Sequence, residues 1–179
     1  MTAPTPLYPS VNATRHLRAR VTSIVGPTLP PAFSLRPAVE EDLDLTYDVT
    51  REAMASYVEA TWGKWDEEEQ RAKHRQNYEP ATHRLVLVGT DVAGLVAVER
   101  EPECLWLVKL YLRAAYRGQG LGSALLLQVL RESESLGKAT RLRVLKVNTR
   151  AKALYLRHGF QVLSRKLLPR LPVTQFCDV

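Results

Sequence analysis

Cysteine is scarce in this chain of 179 residues: only Cys104 and Cys177 occur, far apart and in no C-x-x-C pair. No disulfide framework is expected, and two reduced thiols in a cytoplasmic protein are the simplest reading. The four histidines, His16, His74, His83 and His158, show no ligand spacing with cysteines or carboxylates, so no structural or catalytic metal is anticipated. No apolar run approaches the ~20 residues that span a bilayer. Nor does an uninterrupted apolar stretch follow Met1, as a secretory signal would require. Internal repeats are absent too, and the length suits one domain with a short appendage.

Acids are missing from one region, and this qualifies the net charge of +6. Residues 1–33 hold Arg15, Arg18 and Arg20 and no acid, which leaves 22 basic and 19 acidic residues, a net of +3, in the remainder. That balance suits an anionic small ligand as well as a polynucleotide. The basic stretch Arg141–Lys146 has no interleaved aromatics for base stacking, so specific nucleic-acid binding is not expected. Monomer and homodimer both stay open.

Residues 1–33 also carry six of the eleven prolines and no clear periodicity. They read as a peripheral extension with a short helical piece around Thr14–Val25, ahead of a domain over 34–179. A basic, acid-free segment equally resembles an organelle transit peptide, or an early start.

From Ser34 the pattern changes. Phe33–Arg36 reads as a strand stopped by Pro37, and Glu40-Glu41-Asp42 opens a helix to about Tyr57. Asp66 and Glu69 have capping-box spacing at the start of a polar helix to about Gln76. Three strands follow, Arg84–Val88, Val92–Glu99 and Leu105–Leu112, an antiparallel meander. Leu121–Leu136 has a broad apolar helical face, and Gly137 ends it. Arg141–Val147 alternates as a strand. A helix over Arg150–His158 starts behind Asn148 or Thr149, and strands at Phe160–Arg165 and Thr174–Asp178 close the chain. The fold class is mixed α/β: a sheet of six to seven strands with helices on both faces.

Arg117-Gly118-Gln119-Gly120-Leu121-Gly122 stands between the third strand of the meander and the apolar helix. Glycine lets the backbone approach a ligand closely, and the first-turn amides of a helix attract an anion. A phosphate loop is excluded, because no lysine–hydroxyl pair follows. A dinucleotide fingerprint is disfavoured: the third glycine comes one residue early, and Leu142-Arg143-Val144 offers no acid for a ribose. An anion site remains, beside the alternative of a mere tight turn.

The pattern Arg117-x-x-Gly120-x-Gly122 after a strand resembles the acyl-CoA motif of the GNAT (GCN5-related N-acetyltransferase) superfamily. One helix and one strand later, Asn148-x-x-Ala151-x-x-Leu154-Tyr155-x-x-x-Gly159-Phe160 resembles a second signature of that family. The resemblance covers roughly residues 33–165. It implies an acyl-CoA-dependent N-acyltransferase, with acetyl-CoA or another short acyl-CoA as co-substrate and a primary amine of a small molecule or peptide as acceptor. The cofactor would lie in a V-shaped opening between the parallel strands Leu105–Leu112 and Arg141–Val147. Backbone groups near Leu110 and Leu112 would pair with the pantetheine arm, the amides of Arg117–Gly122 would take the pyrophosphate, and Asn148 and Lys152 would add contacts. Lys152 is otherwise a solvent-facing helix residue. Tyr155 takes the family's place for the general acid, with plain helix packing as its alternative reading.

An alkylammonium has no lone pair, so the reaction needs a base. Glu99 is the first candidate and Glu59 the second, each alternatively an ordinary surface carboxylate. Lys109 stands where relatives often carry a small polar or acidic residue; pointed into the cleft, it would suit an acidic substrate. Ala114 replaces a common proline. Tyr57, Trp62 and Trp65 form either an aromatic wall of the acceptor pocket or a seal on the core. A catalytically silent acyl-CoA-binding module is the alternative function.

Overall fold

The computed structural model describes residues 29–162 and, as backbone, 175–178. The helical piece at Thr14–Val25, almost all of the N-terminal extension and residues 163–174 lie outside the described residues. The strands and helices are β1 (Ser34–Pro37), α1 (Leu43–Trp62), α2 (Glu67–Gln76), β2 (His83–Val88), β3 (Asp91–Arg100), β4 (Cys104–Leu112), α3 (Leu121–Ser135), β5 (Ala139–Val144), α4 (Thr149–Arg157), β6 (Gln161–Val162) and β7 (Gln175–Asp178). They form one seven-stranded sheet in the order β1-β2-β3-β4-β5-β7-β6. β1 to β4 run antiparallel, and β5 lies parallel to β4.

The element order is the one expected, with three shifts of boundary. Glu40–Asp42 forms a 3-10 turn rather than the start of an α-helix. Asp42 is buried there, accepts from Val39 N–H at 2.9 Å, and is gripped by both terminal nitrogens of Arg36 at 2.8 and 2.9 Å. The Arg36 guanidinium, against the cost of burial, holds the Asp42 carboxyl below the usual range. α1 continues five residues past Tyr57, because nothing breaks it until Gly63, whose φ of 96° ends the helix with its N–H on Glu59 O. β5 stops at Val144 instead of Val147. The next residues turn so that Asn148 N–H reaches Leu145 O, and Asn148 Oδ1 caps α4 through Ala151 N–H at 3.0 Å. Asp66 caps α2 as expected, accepting from Glu69 N–H.

Two apolar layers hold the sheet. On one face Val96, Val98, Leu105 and Leu107 meet Leu121, Leu125, Leu126 and Val129 of α3. On the other face Val49 of α1 packs on Leu85 and Leu95, with Tyr111 beside them. One irregularity in β4 decides what faces where. Val98 pairs with Leu107 but Ala97 pairs with Lys109, so Val108 is an extra residue in the ladder. Before this bulge the odd residues Leu105 and Leu107 face α3; after it the even residues Leu110 and Leu112 do. Lys109 and Tyr111 are thereby turned to the α1 face.

Candidate active site

β4 and β5 pair from Cys104↔Ala139 to Leu107↔Leu142 and no further. Beyond that point the two strands splay, with the bulge at Val108 bending β4 away. The opening holds a cavity of about 420 Å³, walled by Leu107, Val108, Leu110, Tyr111 and Leu112 of β4 and by Arg143, Val144 and Leu145. Ala53, Met54 and Tyr57 of α1 close one side, and Asn148, Arg150, Ala151, Leu154 and Tyr155 close the other. Its mouth is the glycine turn. Gly118 (φ 82°) and Gly120 (φ 81°) adopt left-handed conformations that a side chain would strain, and Gly120 is the N-cap of α3. The 15-residue α3 thus directs its unpaired N-terminal amides at the cavity.

The β4 backbone presents an edge to this space. Arg113 N–H donates to Ala93 O. Peptide groups alternate in direction along a strand, so those of Leu110 and Leu112 point away from β3 and toward the splay. The Leu112 carbonyl accepts from Arg117 Nε at 2.8 Å, and Arg117 also donates to Glu52 O. The Glu52 carboxylate takes Ala114 N–H and Arg113, fastening α1 to the loop before the glycine turn.

Several expected cofactor residues therefore border the cavity: Leu110, Leu112, Arg117, Gly118, Gly120, Gly122 and Asn148. Others do not. Leu121 is wholly buried in the core, and Gln119 donates to Ala115 O. From α4 the basic residues at the cavity are Arg150 and Arg157 rather than Lys152, and the Arg150 guanidinium lies close to Gly118. Sequence reasoning missed Arg150, Ser123, Tyr111 and Arg143. For Arg150 a signal existed, since it stands one helical turn before Leu154 of the second motif.

Tyr155 is buried against Phe160, ring centroids 5.5 Å apart. Burial, reinforced by neighbouring Tyr111, raises its phenol well above the usual range, and burial pushes Tyr111 up to about 12. Both are protonated donors at neutral pH.

On the acceptor side the expectations divide. Tyr57 reaches the cavity, while Trp62 and Trp65 do not, so the three aromatics form no wall there. At 100° per residue Trp62 stands about 140° around α1 from Tyr57, and it is 64% exposed. Trp65 seals the α1–α2 junction, where its Nε1–H lies 3.1 Å from Glu67 Oε2 and 3.3 Å from the Tyr47 hydroxyl. Glu59 is exposed on the last turn of α1, outside the cavity wall. Glu99 is exposed at the end of β3, on the α1 face and opposite Trp106. Lys109 does not line the cavity either. Its Nζ lies 3.0 Å from His83 Nε2, away from β5. Among the described residues no carboxylate borders the cavity, and no group of three or more His, Cys, Asp or Glu is placed to hold a metal. No described helix is long and apolar enough to cross a membrane.

A mixed sheet opened between two parallel strands, with a helix N-terminus at one end and a buried phenol alongside, defines an acetyltransferase-type fold. The Acetyltransferase (GNAT) family profile matches residues 46–160, well over half of the chain, and the chain belongs to that family. Similar solved structures include a PaiA N-acetyltransferase from Thermoplasma acidophilum in complex with coenzyme A, 21% identical, with a TM-score of 0.60 over 74% of this chain and 91% of that one. The ribosomal-protein-S18-alanine N-acetyltransferase of Escherichia coli is 22% identical, with a TM-score of 0.58 over 74% and 80% of the chains. The putative acetyltransferase YycN of Bacillus subtilis is 25% identical, with a TM-score of 0.55 over 77% of this chain and all of that one. No curated protein matches the chain in sequence.

Proposed function

We propose that the protein transfers an acetyl or other short acyl group from its CoA thioester to a primary amine in a ternary complex. The observation that carries this reading is the continuous cavity from the left-handed glycine turn, along the open edge of β4, to buried Tyr155. The amides of Gly118 to Gly122, with Arg117 and Arg150, would hold the pyrophosphate, and the pantetheine arm would pair with the exposed edge at Leu110 and Leu112. An amide at the bulge would polarise the thioester carbonyl as a preorganised dipole.

The neutral amine attacks the carbonyl carbon, the C–N bond forms, and the tetrahedral intermediate collapses with cleavage of C–S. Tyr155 donates its O–H to the departing thiolate. Desolvation that raises the phenol's pKa raises the thiol's in the same dry space, so this donation is not opposed by the usual gap of aqueous values. The amine proton leaves through a base outside the cavity wall, with Glu99 acting through water as first candidate.

Turnover tests the reading. Acetyl-CoA binding together with thiol release over an amine panel supports it. Among the described residues no carboxylate lines the cavity, which favours one second reading, a silent acyl-CoA-binding module; binding without release across the panel would establish that module instead.

A further inference from the structure

The closed root of the splay carries a group of side chains that the cofactor reading leaves unused. Leu105 and Leu107 face α3, so Trp106 between them faces α1. Leu142 and Val144 of β5 likewise face α3, which puts Arg141 and Arg143 on the side of Trp106. Register makes a row across the sheet: Glu99 opposite Trp106, and Trp106 opposite Arg141. One step along β5, Arg143 holds its guanidinium carbon 5.3 Å from the centre of the Trp106 ring.

Position separates Arg143 from the cofactor's phosphates. The glycine turn lies beyond Leu112, and the five steps from Leu107 to Leu112 already cover about 16 Å at the usual rise of a strand. Arg117 and Arg150 supply cations at that distant mouth. Arg143 borders the cavity where the strands rejoin, is exposed, and has no carboxylate within 4 Å among the described residues. The Nε of Arg141, sealed from solvent, also has no partner among them. A guanidinium laid over an indole keeps its planar fork free for a second ligand, and the fork matches a carboxylate. Across the ring, Glu99 presents the opposite charge.

We infer that the acceptor is an amine that also carries a carboxylate, an amino acid or acidic peptide, with the carboxylate on Arg143 and the apolar part of the molecule over Trp106. This rests on the acyltransferase reading and narrows its substrate class. The amine then lies on the Glu99 side, next to the bulge at Val108.

The test uses matched acceptors, each amino acid against its carboxamide and against an amine bearing phosphate, with acetyl-CoA and release of free CoA as the readout. The carboxylate form is expected to have a kcat/KM at least tenfold above the carboxamide. Arg143→Gln should bring that ratio close to one through KM, Arg143→Lys should retain part of it, and neither should move the Kd of acetyl-CoA more than twofold. Equal use of carboxylate and carboxamide by the unaltered protein, preference for phosphate, or a tenfold loss of acetyl-CoA affinity in Arg143→Gln would overturn the inference. Calorimetric binding of the same acceptors to the CoA-loaded protein separates the two readings. Carboxylate-selective binding with no turnover on any amine would sink the transferase and keep the acceptor class. Turnover with no selectivity would do the reverse.

Discussion

Lys109 Nζ lies 3.0 Å from His83 Nε2, reached across Ala97, which pairs with both residues in the sheet. His83 Nδ1 is 2.7 Å from Glu79 O, so that nitrogen carries the proton and Nε2 offers its lone pair to the lysine. His74 of α2 is buried as well, its Nε2 3.0 Å from Thr46 Oγ1 of α1. Burial first, then the lysine charge, pulls both histidines down to about 4 and burial pulls Lys109 to about 8.

Both rings are therefore neutral in the folded protein and titrate near 6.5 when unfolded. Their contribution to stability is complete above pH 6.5 and is lost as pH falls from there toward 4. At pH 5 the loss is about 2 kcal/mol for each ring, and Tm should fall by roughly 10 °C relative to pH 7.5. Thermal scans check this. A flat profile between pH 7.5 and 5 would contradict the buried array, whereas His74→Gln should flatten about half of the slope.

Gly120→Glu should abolish acyl-CoA binding. The substitution places bulk and negative charge at the N-cap of α3, at a φ of 81°. Titration calorimetry with acetyl-CoA is the measurement, and near-native affinity in a folded variant would refute the assignment of the glycine turn.

Tyr155→Phe should leave the Kd of acetyl-CoA within about threefold and lower kcat by roughly 10²-fold, the lower range for losing a general acid. The ring keeps its packing on Phe160, so stability should hardly change. Unchanged kcat would return Tyr155 to a packing role.

Gly94→Ala is expected to be costly although the position reads as mid-strand. A Cβ there would sit 2.2 Å from Tyr111 O and 2.8 Å from a Leu112 methyl. Since β3 would have to move off β4, a loss of about 3 kcal/mol is expected, with weaker acyl-CoA binding because the open edge at Leu112 shifts. Chemical denaturation measures the first, and a stability within 1 kcal/mol of the native chain would rule out the close approach.

Glu99→Gln should lower kcat/KM for the amine roughly 10²-fold while sparing the Kd of acetyl-CoA. An unchanged kcat/KM in steady-state kinetics would exclude Glu99 as base.

The sequence by itself determined the elements and their order, the glycine turn, and the family. These are local properties: apolar periodicity, the caps at Asp66 and Asn148, and the left-handed stops at Gly137 and Gly159 act within a turn or two of the chain. Only the tertiary structure decided which side chains face the cavity. A single extra residue, Val108, reverses the alternation of β4, so Tyr111 is brought to the cavity wall and Lys109 is drawn to His83 on β2. Periodicity of two cannot show a bulge, because the bulge is a mismatch between strands rather than a pattern within one. The same holds for Arg143 over Trp106, a juxtaposition of residues 37 positions apart that parallel pairing alone brings about.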